Sequence, residues 1–245
     1  MQPQVLIIFI LSIISNIILC IFKTDEKNKN SLILNIIELS LLSILAIVSL
    51  ISSIGGINEE LLIYGILMTV NISLYAIKDI VVLVMNHKEL IDDNLKRKID
   101  IYSSLSFYVL SSIIIIIYSS MTFITMIVMM VLALIFFSSI YLIKRREWKD
   151  TVILFFIYSL VISFFLSIPL TGIFYESNSE SRTYILAFLT VGASLIYLIS
   201  IFKYGDLIFE TYPKNKNIIN RIETFIYNQG LIFMALSISY ILILS

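Results

Sequence analysis

Three ionisable side chains interrupt otherwise apolar stretches of this chain, and they are the residues best placed to do chemistry. They are Glu38, Lys78 and Asp79. A charge at the centre of a bilayer costs about 2.5–3.5 kcal/mol on insertion scales, so a charged residue within a membrane span suggests a function. A carboxylate and an ammonium group at this depth can form an ion pair, or they can bind an ion or a proton that crosses the membrane.

Two asparagines extend this polar set. Asn35 lies one helical turn before Glu38 on the same face, and Asn71 lies two turns before Lys78, nearer the midplane. One interpretation is structural: Glu38 pairs with Lys78 between adjacent antiparallel helices, and Asp79 faces the cytoplasmic boundary. The other is an ion- or proton-coupled site in which the five residues form a polar stripe. Asparagines also join helices through hydrogen bonds, which favours the structural interpretation.

The sequence contains no recognisable enzyme motif. Its one histidine, His87, excludes a metal site with several histidine ligands. It has no nucleophile elbow and no Gly-rich phosphate loop. The segment Lys203-Tyr-Gly-Asp206 shares Gly-Asp with intramembrane aspartyl proteases, but a lysine stands where that pattern needs its first glycine. We therefore expect no enzymatic activity, no cofactor and no metal.

Long apolar stretches position these residues. Apolar side chains make up 59% of the 245 residues, against about 45–50% in a soluble domain. A stretch of about 20 apolar residues spans the hydrocarbon core as a helix, because the helix satisfies its own backbone hydrogen bonds. The sequence predicts an all-α, polytopic integral membrane protein with eight transmembrane helices. The predicted helices are 4–22, 31–54, 61–84, 102–119, 121–143, 151–174, 183–203 and 229–245.

The basic residues lie on one side of the membrane in this topology. Of 17 Lys and Arg residues, 15 fall in the first, third, fifth and seventh connections. Short loops rich in Lys and Arg remain in the cytoplasm. A composition rich in Ile, Asn, Lys and Ser is typical of a low-GC bacterium. We therefore predict a multi-pass protein of the bacterial cytoplasmic membrane with both termini outside.

The two halves of the sequence resemble each other. Val70–Leu74 in the third predicted helix matches Val191–Leu195 in the seventh at an offset of 121 residues. The starts of the second and sixth helices match at an offset of 120, and the segments before the fourth and eighth match at 123. These matches predict two four-helix units, 1–120 and 121–245, related as a parallel 4+4 repeat. Chance similarity between apolar helices is the alternative.

Two long cytoplasmic connections are amphipathic. In the third connection, Leu95 and Ile99 lie four residues apart on one helical face. In the seventh, Ile218, Ile222 and Phe225 share a face in the same way. Such a helix can lie on the inner membrane surface, held by apolar burial and by anionic lipid. It can also be the docking site of a cytoplasmic partner.

These observations favour membrane transport as the function. The duplication, the paired amphipathic segments and the lack of catalytic motifs predict the permease subunit of an exporter that relies on a separate ATPase. The expected partners are the lipid bilayer, a cytoplasmic ATPase subunit and further copies of this or another membrane protein, but no nucleic acid. The alternative is a non-transport protein: a sensor, immunity factor or scaffold that acts by binding other membrane components.

Overall fold

The computed structural model describes residues 3–22, 29–53, 59–119, 121–143, 152–175, 180–209 and 216–239, and their regular secondary structure is all helical, without strands. The eight helices are α1 (Pro3–Phe22), α2 (Lys29–Ser53), α3 (Glu59–His87), α4 (Asp93–Tyr118), α5 (Phe123–Ile143), α6 (Val152–Tyr175), α7 (Glu180–Phe209) and α8 (Lys216–Ser239). The predicted all-α class is confirmed, and each predicted helix has a counterpart.

Six helices in the described part of the chain are long and apolar enough to cross a membrane, namely α1–α4, α6 and α7. α5 adds a shorter apolar helix, Phe123–Ser139, and α8 has a polar first half. Large apolar side chains such as Ile7 of α1 and Leu134 of α5 are exposed on the outside of the bundle. Lipid is the natural solvent for an apolar surface of this extent. The chain is therefore a multi-pass membrane protein.

Two helices begin well before the predicted spans. α4 begins at Asp93 rather than near 102, and α8 begins at Lys216 rather than near 229. The two amphipathic segments are thus the first turns of the helices that follow them. Neither segment contains a glycine or proline, so the helical period continues into the apolar part. At the start of α4, the side chain of Asp92 caps the helix by accepting a 2.7 Å hydrogen bond from the Leu95 backbone N–H.

The interior of the bundle is occupied by α8. This helix packs against α1, α2, α3 and α7, and its second half is buried on nearly every side. α4 packs against α3 and α6, while α5 packs against α6 and α7. α1, α3 and α7 end, and α2, α4 and α8 begin, at the same end of the bundle. We call this the basic end, because Lys88, Lys96 and Lys98 lie there.

A close helix crossing holds α7 against α8. A Cβ atom added to Gly192 would lie 2.6 Å from the carbonyl oxygen of Gly230, and one added to Gly230 would lie 2.9 Å from the carbonyl oxygen of Gly192. Any side chain at these positions would push the two backbones apart. Small residues allow helices in membranes to reach this degree of van der Waals contact.

Candidate functional site: polar groups inside the bundle

Five buried polar side chains of α1 and α2, here called the polar seam, lie toward the basic end. They are Ser12, Asn16, Ser31, Asn35 and Glu38, and each is at most 6% exposed. α1 packs against α2 and α8, so its buried side chains face these two helices. The polar seam therefore places a carboxyl group and two amides in the interior, within regions of α1 and α2 that are apolar enough to span a membrane.

The carboxyl group of Glu38 makes no hydrogen bond in the described part of the chain. The side chain is 1% exposed, and neither carboxylate oxygen has a partner. Ser15 of α1 lies nearby, but without the geometry of a hydrogen bond. Moving an ionised carboxylate into an apolar interior is strongly unfavourable unless the charge is paired. An ionised Glu38 therefore lowers the stability of the fold.

The two amides of the polar seam donate to backbone carbonyl groups instead. Asn16 Nδ2 donates to the carbonyl oxygen of Phe225 at 2.9 Å, which joins α1 to α8. Asn35 Nδ2 donates to the carbonyl oxygen of Ser31, one turn earlier in α2, at 2.7 Å. Both bonds satisfy backbone groups and neither involves Glu38.

The predicted ion pair between Glu38 and Lys78 is not formed. Lys78 Nζ contacts the carboxylate of Asp79 and lies 3.7 Å from Asp100 Oδ1 on α4. It also lies 4.4 Å from the centroid of the Tyr75 ring, at the distance of a cation–π contact. Lys78 therefore faces α4, whereas Glu38 lies near α1. The prediction of this pair was wrong because residue spacing does not determine the rotation of α3 about its own axis.

The group formed by Lys78, Asp79 and Asp100 is here called the carboxylate–lysine cluster. Its side chains are 21%, 26% and 19% exposed, respectively. Asp100 was not among the predicted site residues, because we placed it in a connection before the fourth helix. It lies within α4, and extending the amphipathic period backwards from residue 102 would have found it. Lys78 therefore contacts one carboxylate of its own helix and one of α4.

Asn71 joins α3 to α4. Its Nδ2 atom lies 2.8 Å from Ser111 Oγ and 3.3 Å from the carbonyl oxygen of Phe107, and it donates to both. Hydrogen bonds of this kind hold helices together within membranes. The predicted polar stripe is therefore divided, with one part in the polar seam and the other along the contact between α3 and α4.

A second group of buried polar residues, here called the hydroxyl cluster, joins α3, α4, α7 and α8. The ring of Tyr75 lies 5.8 Å from that of Tyr227. The hydroxyl group of Tyr108 lies 3.5 Å from the hydroxyl of Tyr227 and 3.4 Å from Ser200 Oγ. All four side chains are buried. This cluster was not predicted, because a tyrosine in an apolar stretch has the same sequence signal whether it faces lipid or the interior.

The five docking candidates differ in exposure. Leu95 of α4 is 47% exposed and Ile222 of α8 is 48% exposed. Ile99 and Phe225 are half-buried, and the side chain of Ile218 lies outside the described residues. A partner can therefore reach Leu95 and Ile222 without repacking the bundle.

The polar residues of the bundle are organised for hydrogen bonding and charge. Among the side chains that the structure describes, no group of three or more His, Cys, Asp or Glu residues could hold a metal ion. Comparisons with protein-family models, with curated proteins and with solved structures found no match to this chain. Function must therefore be argued from the arrangement of the chain's own residues.

Proposed function

We propose that this chain is a membrane transport protein, the permease subunit of an exporter that relies on a separate ATPase. In this proposal all eight helices cross the cytoplasmic membrane of a bacterium, both termini lie outside, and the basic end faces the cytoplasm. The observation that carries the proposal is the hydroxyl cluster, a polar interior where α3 and α4 meet α7 and α8. Transporters commonly place the substrate path between two such halves.

One pair of helix contacts fits two parallel four-helix units, whereas the packing of α8 on α1 and α3 has no counterpart of similar extent between α4 and α5 or α7. α2 packs on α8, and the corresponding helices of the other unit, α6 and α4, also pack on each other. Consecutive helices pack in the same way in both units, although any bundle would show that. A shift of four helices preserves the direction of each helix through the membrane. The units are therefore parallel in this proposal.

The α3–α4 and α7–α8 crossings match at the level of residues. The matching sets are Asn71, Phe107 and Ser111 in the first unit and Gly192, Gly230 and Met234 in the second. In the first set, Asn71 donates to the carbonyl oxygen of Phe107 and to the side chain of Ser111. In the second set, a Cβ atom added to Gly192 would meet the carbonyl oxygen of Gly230 and the side chain of Met234. The offsets are 121 residues for α3 and α7 and 123 for α4 and α8. Both offsets equal those predicted from the sequence, which supports duplication over chance.

The carboxylate–lysine cluster links the hydroxyl cluster to the basic end. Lys78 lies over the ring of Tyr75, and Tyr75 packs against Tyr227. The charged side chains of the carboxylate–lysine cluster are partly exposed, while the hydroxyl groups behind them are buried. In the proposed orientation, a polar substrate that leaves the cytoplasm meets the charged groups first and the hydroxyl groups second.

The exposed apolar residues at the starts of α4 and α8 support docking of a separate ATPase. Leu95 and Ile222 both lie at the basic end, on helices of different units. Large apolar side chains of this kind form the buried centres of protein interfaces. One ATPase dimer, with one subunit per unit, would match the parallel repeat.

Co-purification tests this proposal. The chain is extracted in mild detergent from its native membranes, and the ATP hydrolysis activity that accompanies it is measured. We expect activity with the natural chain and its loss in the double variant Leu95→Ala/Ile222→Ala. The matched control is Leu134→Ala/Leu198→Ala, which truncates exposed leucines on the outside of α5 and α7 and should retain the activity.

Stable assembly of the natural chain without any accompanying ATPase would contradict the proposed exporter. Equal loss of ATPase in the test and control variants would show a general effect of truncation and would also count against docking at Leu95 and Ile222. The non-transport alternative predicts the first of these results, together with recovery of another membrane protein.

A further inference from the structure

We infer that Glu38 is a reversible proton-binding site that communicates with the basic end of the bundle along α2. The ligand is a proton and the binding group is the Glu38 carboxyl. This inference rests on the polar seam alone. It therefore stands or falls separately from the proposed ATPase and from the hydroxyl cluster.

The unpartnered atoms of the polar seam are two serine hydroxyl oxygens, one amide oxygen and two carboxylate oxygens, and of these only the hydroxyls carry a proton to donate. They are Ser12 Oγ, Asn16 Oδ1, Ser31 Oγ and both carboxylate oxygens of Glu38. The amide NH₂ groups of Asn16 and Asn35 donate to backbone carbonyls. An ionised Glu38 thus has neither an amide donor nor a cation beside it in the described part of the chain. A protonated carboxyl is neutral and supplies a donor of its own, so it suits this surrounding better.

Cations on the helices around α2 are engaged elsewhere. Among the side chains that the structure describes, the titratable residues of these helices toward the basic end are Cys20 of α1, Tyr75, Lys78, Asp79 and His87 of α3, and Arg221, Glu223 and Tyr227 of α8. Lys78 contacts Asp79 and Asp100. Arg221 Nη1 donates to the carbonyl oxygen of Ile21 at 3.2 Å, at the end of α1. Neither cation neutralises Glu38, so within the described side chains a proton is the charge that can.

A polar stripe on α2 provides the route for the proton. Ser31, Asn35 and Glu38 recur at spacings of four and three residues, which places them on one face of the helix. Ser31 lies in the first turn of α2, and Glu38 lies about 10 Å deeper, at 1.5 Å per residue. The hydroxyl and amide groups of the stripe can hydrogen-bond to water. Exchange with the basic end therefore avoids the apolar remainder of the bundle.

Infrared difference spectroscopy of the purified protein in lipid vesicles tests the inference. The carbonyl stretch of a protonated carboxyl is separate from the bands of a carboxylate, and it is recorded while pH is cycled over the range in which the protein stays folded. We expect one protonated-carboxyl band that disappears reversibly as pH rises and that is absent from Glu38→Gln. The control variant Asp79→Asn, in the carboxylate–lysine cluster, should retain the band.

Two results would overturn the inference. If the Glu38 band persists at every pH, the carboxyl is permanently neutral and has only a structural role. If no such band exists at any pH, the carboxyl is permanently ionised. Should Glu38→Gln not fold, Glu38→Asp assigns the band by a shift in its frequency, since the acid is kept in a different position.

The route along α2 has its own test in the same spectra. Transfer of the vesicles into deuterated water shifts the band of the protonated carboxyl as its proton exchanges. Asn35→Leu should slow this shift relative to the natural chain, whereas Asn71→Leu, on the contact between α3 and α4, should not. Equal exchange rates in Asn35→Leu and the natural chain would exclude access along α2.

Discussion

In the proposed repeat, the polar seam of α1 and α2 and an aromatic seam of α5 and α6 occupy matching positions but have opposite chemistry. At a constant offset of 120 residues, Asn16, Asn35 and Glu38 match Phe136, Phe155 and Tyr158. Both sets are buried, one between α1 and α2 and the other between α5 and α6. The Phe136 ring centroid lies 5.7 Å from that of Phe155 and 5.9 Å from that of Tyr158.

The two seams are expected to affect the stability of the fold in opposite directions. Packed aromatic rings add about 0.5–1.5 kcal/mol per pair beyond the burial of their area. Buried polar atoms without a partner oppose folding, at about 1–3 kcal/mol for each group. The aromatic seam shows that positions 120 residues from the polar seam can be filled mainly by packed apolar ring atoms. The polar seam is therefore not explained by the need to pack two helices together.

The largest expected effect comes from removing the ring at the centre of the aromatic seam. Phe136→Ala should lower the free energy of unfolding by about 3 kcal/mol, because it leaves a cavity among buried rings. The matched variant Asn16→Ala, in the polar seam, should lower it by only about 0.6 kcal/mol, the typical value of one interhelical hydrogen bond in a membrane. Denaturant titration in mixed micelles measures both. Similar losses of unfolding free energy in the two variants would contradict the expected difference between the aromatic seam and the polar seam.

The two helix crossings provide the next contrast. Gly192→Val should lower the free energy of unfolding by about 2 kcal/mol, because its side chain meets the backbone of Gly230. At the position that would match Gly192 in the proposed repeat, Asn71→Ala removes two hydrogen bonds without a clash and should lower the free energy of unfolding by about 1 kcal/mol. The same titration compares the variants. A Gly192→Val protein as stable as the natural chain would mean that α7 and α8 are not in backbone contact.

Many of the helix boundaries follow from the pattern of apolar residues, and the two helix starts that were predicted too late share one cause. The ends of α1, α2, α5 and α6 lie within two residues of the predicted spans, because polar residues flank these apolar stretches. The starts of α4 and α8 were placed too late, since hydropathy marks where a chain becomes apolar and not where it becomes helical. α4 and α8 begin at Asp93 and Lys216 because the helical spacing of apolar residues extends back through the polar segments that precede the apolar stretches.

The candidate site was harder to predict than the fold. Burial of Asn35, Glu38 and Asn71 follows from their position in apolar helices, and all three are buried. Their partners depend on how each helix is rotated, which the spacing of residues along one helix does not contain. For this reason Lys78 was assigned to Glu38 although it contacts Asp79 and Asp100.

A stabilising substitution is the most direct test of the central claim, that the polar seam persists at a cost to stability. The measurement is the free energy of unfolding of Glu38→Met, which replaces the carboxyl with an apolar side chain of similar size. We predict a value about 1 kcal/mol above that of the natural chain, because a buried group without a partner is removed. A value about 2 kcal/mol or more below the natural chain would show that the carboxyl has a stabilising partner, and would contradict the account.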